Sequence, residues 1–319
     1  MIQTALKMNG PDKRTGDTTG GHVSHAMDAG RGAPQRLSRR RKLANGVFHA
    51  ILIGAASFAI IMLVLLLAKV LRDAIGWLDW QFLTSLPSRF AEKAGIRSAF
   101  AGSLWTIGLT AAISLPIGVA TALYLEEYAV PDSRISRVIE LNISNLAGVP
   151  SIVYGMLGLT VFVRVLGFGR SVLSGALTLS LLVLPVIIVT TQEALRGVPK
   201  SLKEASFALG VSKWKTITGV VLPYAMPGIL TGAILAVSRA MGEAAPLIIV
   251  GAAGYVAFLP KSPMDAYTVL PIQIFNWTSR PQAEFQHVAA AGIIVLIVLL
   301  LSANTIAILL RNKYQQRME

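Results

Sequence analysis

The chain has 319 residues, of which 54% are hydrophobic and only 14% charged, against roughly 25% charged in an ordinary soluble domain. With a mean hydropathy of +0.62 this predicts an integral membrane protein, and the net charge of +13 is then assigned to the flanks of membrane spans rather than to a nucleic-acid surface. Cysteine is absent, which excludes a disulfide framework and thiolate metal sites.

Residues 1–42 are rich in Gly, Asp, Thr and Arg and end in Arg39-Arg40-Arg41-Lys42, so a disordered basic tail is expected over 1–45. A cleaved leader would carry a short apolar core near its start. Here the first apolar run comes later and is membrane-length, and it is expected to remain as a span within 46–71. Crossing a bilayer core of roughly 30 Å takes about 20 mostly apolar residues. Six segments satisfy this: 48–70, 100–125, 139–166, 172–191, 227–250 and 288–310. The predicted fold class is all-α, with six transmembrane helices, an external loop at 72–98, a core at 99–310 and a short tail at 311–319. The third segment opens on Glu140, Asn142, Ser144 and Asn145, which predicts that its first turns face protein or water. Glu126 and Glu127 are adjacent, point in different helical directions, and read as a solvated turn rather than a paired-carboxylate site. His22, His25, His49 and His287 have no metal-ligand spacing.

Lys and Arg in the connections set the orientation. Arg39 to Lys42, Arg134, Arg137, Arg196, Lys200, Lys203, Lys213, Lys215, Arg311, Lys313 and Arg317 fall on one side, which is predicted to be cytoplasmic together with both termini. The opposite loops hold fewer, chiefly Arg72, Arg89, Lys93, Arg97, Arg170, Lys261 and Arg280.

Between the fourth and fifth segments, 193–223 reads as a polar helix-turn-helix on that cytoplasmic side. Ser201 and Glu204 have the spacing of a capping box, Gly210 is placed to stop the first helix, Ser212 to cap the second, and Pro223 to turn the chain back toward lipid. A helix pair this short is marginal alone. It makes most sense against a partner.

Arg239 lies about twelve residues past Pro227, hence about 18 Å along a helix and close to the bilayer midplane. Arginine at that depth costs about 2.5–3.5 kcal/mol on insertion scales, so it should face the bundle interior or water and carry a partner. Glu243, four residues on, is the predicted partner. The pair is open to two readings, a neutralising lock between helices or an anion pathway, since a guanidinium fork suits phosphate oxygens. A mixed role would have Arg239 attract the anion while Glu243 prevents an overly tight trap.

Glu204-Ala205-Ser206, then Gly210, then Val220-x-Leu222-Pro223 resemble the EAA loop of ABC-importer permeases, with Ser206 for the second Ala and Val220 for the usual Ile. AGVPSIVYG at 147–155 and SRAMGEAAPLIIVG at 238–251 resemble the membrane subunits of phosphate ABC importers, and Gly242-Glu243 running into Ala245-Pro246-Leu247 looks more like the PstA type than the PstC type. The resemblance extends over about 99–310. It implies a type I ABC importer permease fold in a bacterial inner membrane, with a coupling helix bearing Leu202, Glu204, Ala205, Ser206, Leu209 and Gly210. Phe207 and Trp214 are further contact or packing residues of that loop. Gly148, Pro150, Ser151 and Tyr154 become a pathway or interface segment, and Arg239 a functional residue. It further implies a PstC-like partner permease, a PstB-like ATPase dimer carrying ATP and magnesium, an external phosphate-binding protein, and no cofactor on this chain. No Walker A loop occurs in the sequence, so this chain is not expected to be an enzyme. Other oxyanions such as molybdate or sulfate are the alternative cargo, and an ion-gradient-driven carrier the alternative class.

Overall fold

The computed structural model describes residues 34–129, 133–252 and 254–315. The tail expected at 1–33 lies outside them, as do 130–132, 253 and 316–319. Every regular element among the described residues is helical.

The chain divides into two compact units, 1–65 and 66–319. In the first, the described residues form the leading part of α1 (Pro34–Ala74), so helix also occupies 34–45, which the sequence assigns to the tail. Over Ala44–Ala74 this helix is apolar on all sides and its side chains are exposed almost throughout. A helix of that kind is stable only in hydrocarbon.

The second unit contains α2 (Trp80–Thr84), α3 (Arg97–Leu123), α4 (Arg134–Ala147), α5 (Ser151–Gly158), α6 (Val172–Arg196), α7 (Lys200–Ala208), α8 (Lys213–Thr216), α9 (Leu222–Gly242), α10 (Ala245–Val250), α11 (Leu270–Thr278) and α12 (Glu284–Gln315). Three apolar clusters succeed one another along its axis. Phe82, Ile96, Trp277 and Phe285 fill the end where α3, α6 and α12 begin. Leu179, Val183, Ala240, Leu247 and Tyr267 fill the middle, and Leu125, Ile143, Leu195, Val221 and Ala225 the end that carries α7 and α8.

Among the described residues five helices are long and apolar enough to cross a membrane, and a bent pair makes a sixth when it is counted as one span. The continuous third span expected at 139–166 is corrected here: α4 and the helix Ser151–Val165 meet at 105°. Pro150 causes the break, because it lacks an N–H and disfavours helical geometry at Val149. The polar opening turns belong to α4, a strongly amphipathic helix. The expected fifth span is also redrawn. α8, a π turn over Ile217–Val221 and α9 form one helical run, Lys213–Gly242, which starts well before Pro227 and stops before Val250.

Small residues at a spacing of four explain the packing. On α3 the buried face is Gly102, Thr106, Thr110, Ser114, Gly118 and Ala122, which lets α6 approach closely. Thr106 and Thr110 donate to the carbonyls four residues back, and Thr110 also reaches the Ala176 carbonyl of α6 at 3.3 Å. Those bonds satisfy hydroxyls that hydrocarbon could not. α9 repeats the device with Gly228, Gly232, Ala236 and Ala240, where Gly228 and Gly232 meet Ala194 and Thr190 of α6. At Gly102 a Cβ would overlap the carbonyl oxygen of Thr268, a backbone atom with no rotamer to escape into. Gly102→Ala should therefore cost about 1–3 kcal/mol, read as a lowered unfolding midpoint of the detergent-solubilised protein.

Candidate functional site

Two helix breaks face each other in the middle of the second unit. α9 ends at Gly242, Glu243 turns extended at φ −80 and ψ 114, and α10 restarts with Pro246 in its first turn. Opposite, Gly148 caps α4, Pro150 takes the position before α5, and Ser151 opens it. α10 packs on α5 so closely that a Cβ on Gly155 would stand 2.8 Å from the Pro246 Cα. Val149 and Ala244, one from each break, pack against the same cluster. Tyr154 is buried, and its hydroxyl donates to the Leu146 carbonyl at 2.8 Å, tying the two sides of the elbow. Removing that bond by Tyr154→Phe should cost about 1 kcal/mol and lower the unfolding midpoint without loss of insertion.

Arg239 lies in the last turn of α9, but Glu243 is beyond the helix end rather than on a continued helical face. The extended turn still brings Glu243 Oε1 to 3.5 Å from Arg239 Nε. The Glu243 side chain is 21% exposed and lines a small cavity with Ser103 and Thr106 of α3 and Leu296 of α12. Thr106 is nine residues past Arg97, so Glu243 stands on the order of 14 Å from the start of α3. Arg239 lies one turn deeper. Its side chain is 57% exposed, on a face of α9 that also presents Thr231, Leu235 and Gly242. No other ion pair holds it among the described residues.

The polar loop divides into an inner and an outer face. α7 starts at Lys200 with Pro199 before it, so Ser201 falls inside the first turn and the capping box expected with Glu204 does not form. Ser212 occupies the position before α8, without a side-chain capping bond. Gly210 adopts the left-handed φ of 74 that ends the first helix, while Val211 donates to the Ser206 carbonyl at 3.2 Å. Ser206 is buried, and its hydroxyl shares a 2.8 Å bond with Thr216 that joins α7 to α8. Leu202, Glu204, Ala205, Phe207 and Trp214 are exposed, and Leu209 is 83% exposed.

Residues 114–319, which hold the bent pair, the loop and the broken fifth span, match the family model of the binding-protein-dependent transport system inner membrane component. This chain belongs to that family. The permease is 36% identical over 286 residues to the phosphate transport system permease protein PstA 1 of Mycobacterium tuberculosis, covering 86% of this chain and 91% of that one. It is 36% identical over 280 residues to the probable ABC transporter permease protein YqgI of Bacillus subtilis, covering 83% and 93%. Its fold resembles a chain of a bacterial alginate ABC transporter solved with an alginate-pentasaccharide-bound periplasmic protein, with a TM-score of 0.60 and 16% identity over 86% of this chain and 97% of that one. The architecture is thus that of a type I ABC importer permease, an all-α, multi-pass component of an inner membrane.

The permease also holds a group of residues that sequence reasoning assigned elsewhere. Glu126 and Glu127 do not form a solvated turn: their side chains are only 16% and 10% exposed. α3 ends in a π turn, Tyr124–Tyr128, anchored by buried Leu125. There Glu126 pairs with Arg196 at 2.6 Å and accepts from Gln192 at 3.2 Å, while Glu127 pairs with Lys203 of α7. The bases were visible in the sequence on the same predicted side. Their pairing spans 70 and 76 residues, and no local spacing announces it.

Proposed function

We propose that this chain is one permease subunit of an ATP-driven phosphate importer. The observation that carries the reading is the exposure of Arg239 on α9 at membrane depth. Hydrocarbon is an expensive neighbour for a guanidinium, so the Thr231–Leu235–Arg239–Gly242 face belongs against a second subunit and a wet path. This chain then supplies half of that path, with a PstC-like permease supplying the other half. The phosphate transport names of its relatives select phosphate among the oxyanions a guanidinium could attract.

The rest of the assembly follows from the outward face of α7 and α8. That face seats a PstB-like ATPase dimer, which holds ATP and magnesium and performs all hydrolysis, while an external phosphate-binding protein delivers the anion. The Lys and Arg distribution supports a cytoplasmic loop and cytoplasmic termini. Lys213–Gly242 is a single helical run of 30 residues, about 45 Å long. It joins the docking loop to Arg239 without an intervening hinge loop, so closure of the ATPases can tilt the residue that faces the anion. Glu243 keeps the guanidinium from becoming a trap.

The test is reconstitution of the four kinds of subunit in vesicles with labelled phosphate. ATP-dependent phosphate uptake, resistant to excess sulfate and molybdate and lost when the ATPase lacks its phosphate-loop Lys, is the expected result. Competition by sulfate or molybdate would reassign the cargo. Uptake that survives the ATPase lesion would replace the importer reading with a gradient-driven carrier.

A further inference from the structure

We propose that the π turn Tyr124–Tyr128 is the receiver through which the α7–α8 loop drives α3 and α4, with Glu127 and Glu126 as its positioning residues. This rests on the importer reading above. Three cations from the loop and its base converge on this one turn: Lys203 of α7 on Glu127, Arg196 at the end of α6 on Glu126, and Lys213 of α8 on the Tyr128 ring, 4.9 Å from its centre. Arg196 also reaches Glu140 of α4 at 4.0 Å. Both short helices of the docking loop are therefore fastened to the same five residues, one on each side of Gly210.

The local backbone makes this convergence available. The Ala129 N–H donates to the Tyr124 carbonyl at 2.9 Å, five residues back, which widens the last turn of α3. Glu126 and Glu127 then diverge, one toward α6, the other toward α7. Both carboxylates are largely removed from water, so neither can exchange its cation for solvent at low cost when the loop moves. A loop pushed by its partner must take the turn with it. α3 begins at the far end of the bundle and carries Ser103 and Thr106 beside Glu243, so the displacement arrives at the pathway by a second route, parallel to α9.

The experiment scores anion moved per ATP hydrolysed in the reconstituted complex. Glu127→Gln and Lys203→Gln break the tie from opposite sides, so that poor assembly of one leaves the other to be read. Either should keep hydrolysis within about twofold of the unaltered complex while uptake falls about tenfold, the size of effect that residues in a coupling path produce. The reversed pair, Glu127→Lys with Lys203→Glu, should regain at least half of the lost ratio. A merely structural tie would lower hydrolysis and uptake together and leave their ratio unchanged. An unchanged ratio in an assembled single variant, or a reversed pair no better than the singles, overturns the proposal. Should the unaltered complex move sulfate or molybdate instead of phosphate, the ratio is read with that anion, so failure of the cargo assignment is distinct from failure of the receiver.

Discussion

Arg239→Gln should reduce phosphate uptake at limiting phosphate by at least about thirtyfold while leaving the permease inserted and bound to its ATPase. Truncating one side of a desolvated, hydrogen-bonded charge contact costs about 2–5 kcal/mol, and each 1.4 kcal/mol is about a factor of ten. Gln keeps a polar side chain of similar reach but loses the charge and the planar fork. Folding should be spared. The Arg239 side chain is 57% exposed and its ion pair with Glu243 is 3.5 Å long, so little of the packing depends on it. Arg239→Lys separates charge from geometry: an ammonium restores attraction but not bidentate recognition, so uptake should recover only in part. Glu243→Gln should act in the opposite sense, tightening anion binding while slowing release, because the guanidinium loses its competing carboxylate. Labelled phosphate uptake over a concentration series reads all three. Equal uptake by Arg239→Gln and the unaltered chain would remove Arg239 from the path and leave the pair as a lock between elements.

Much of the fold was legible because membrane spans are written in composition. Apolar runs of the right length located α3, α6, α12 and the membrane-length part of α1 within a few residues, and Gly210 and Ser212 located the turn between α7 and α8. The failures share one cause. Hydropathy registers which residues lipid would accept, and it is blind to where the backbone stops being helical. Segments 139–166 and 227–250 were apolar enough to look continuous, yet each is broken at the motif that resembles phosphate permeases, at Val149–Pro150 and at Glu243–Ala244. Pro150 was a visible signal for the first break. For the second, Gly242 and Pro246 were visible, but neither states which residue leaves the helix. The capping box failed for a related reason: Ser201 and Glu204 have the right spacing, but Pro199 allows helix to begin two residues early. The Glu126 and Glu127 pairs were beyond any local pattern, because α7 and the end of α6 meet the end of α3 only after the chain has crossed the bundle twice.

Leu209→Asp should detach the ATPase, weakening its association by about 30-fold to 1,000-fold. The side chain is 83% exposed in the single chain, and Phe207 and Trp214 of the same loop are exposed as well. Apolar groups gathered on an otherwise polar loop mark a contact surface, and truncating a central anchor of such a surface costs about 2–4 kcal/mol. Asp adds the desolvation of a carboxylate to the loss of the anchor. The same exposure protects the permease: Leu209 supports no buried cluster, and the joint between α7 and α8 is made by Ser206 and Thr216 on the inner face. Co-purification of the ATPase with the permease should therefore collapse while the unfolding midpoint of the permease alone is unchanged. Because the chain has no natural cysteine, Ala205→Cys supplies a unique crosslinking handle one turn away. It should join the ATPase in the unaltered background and fail to do so beside Leu209→Asp. Retained association by Leu209→Asp, or repeated failure of Ala205→Cys to crosslink in a transporting complex, would show that the outer face of this loop is not where force enters.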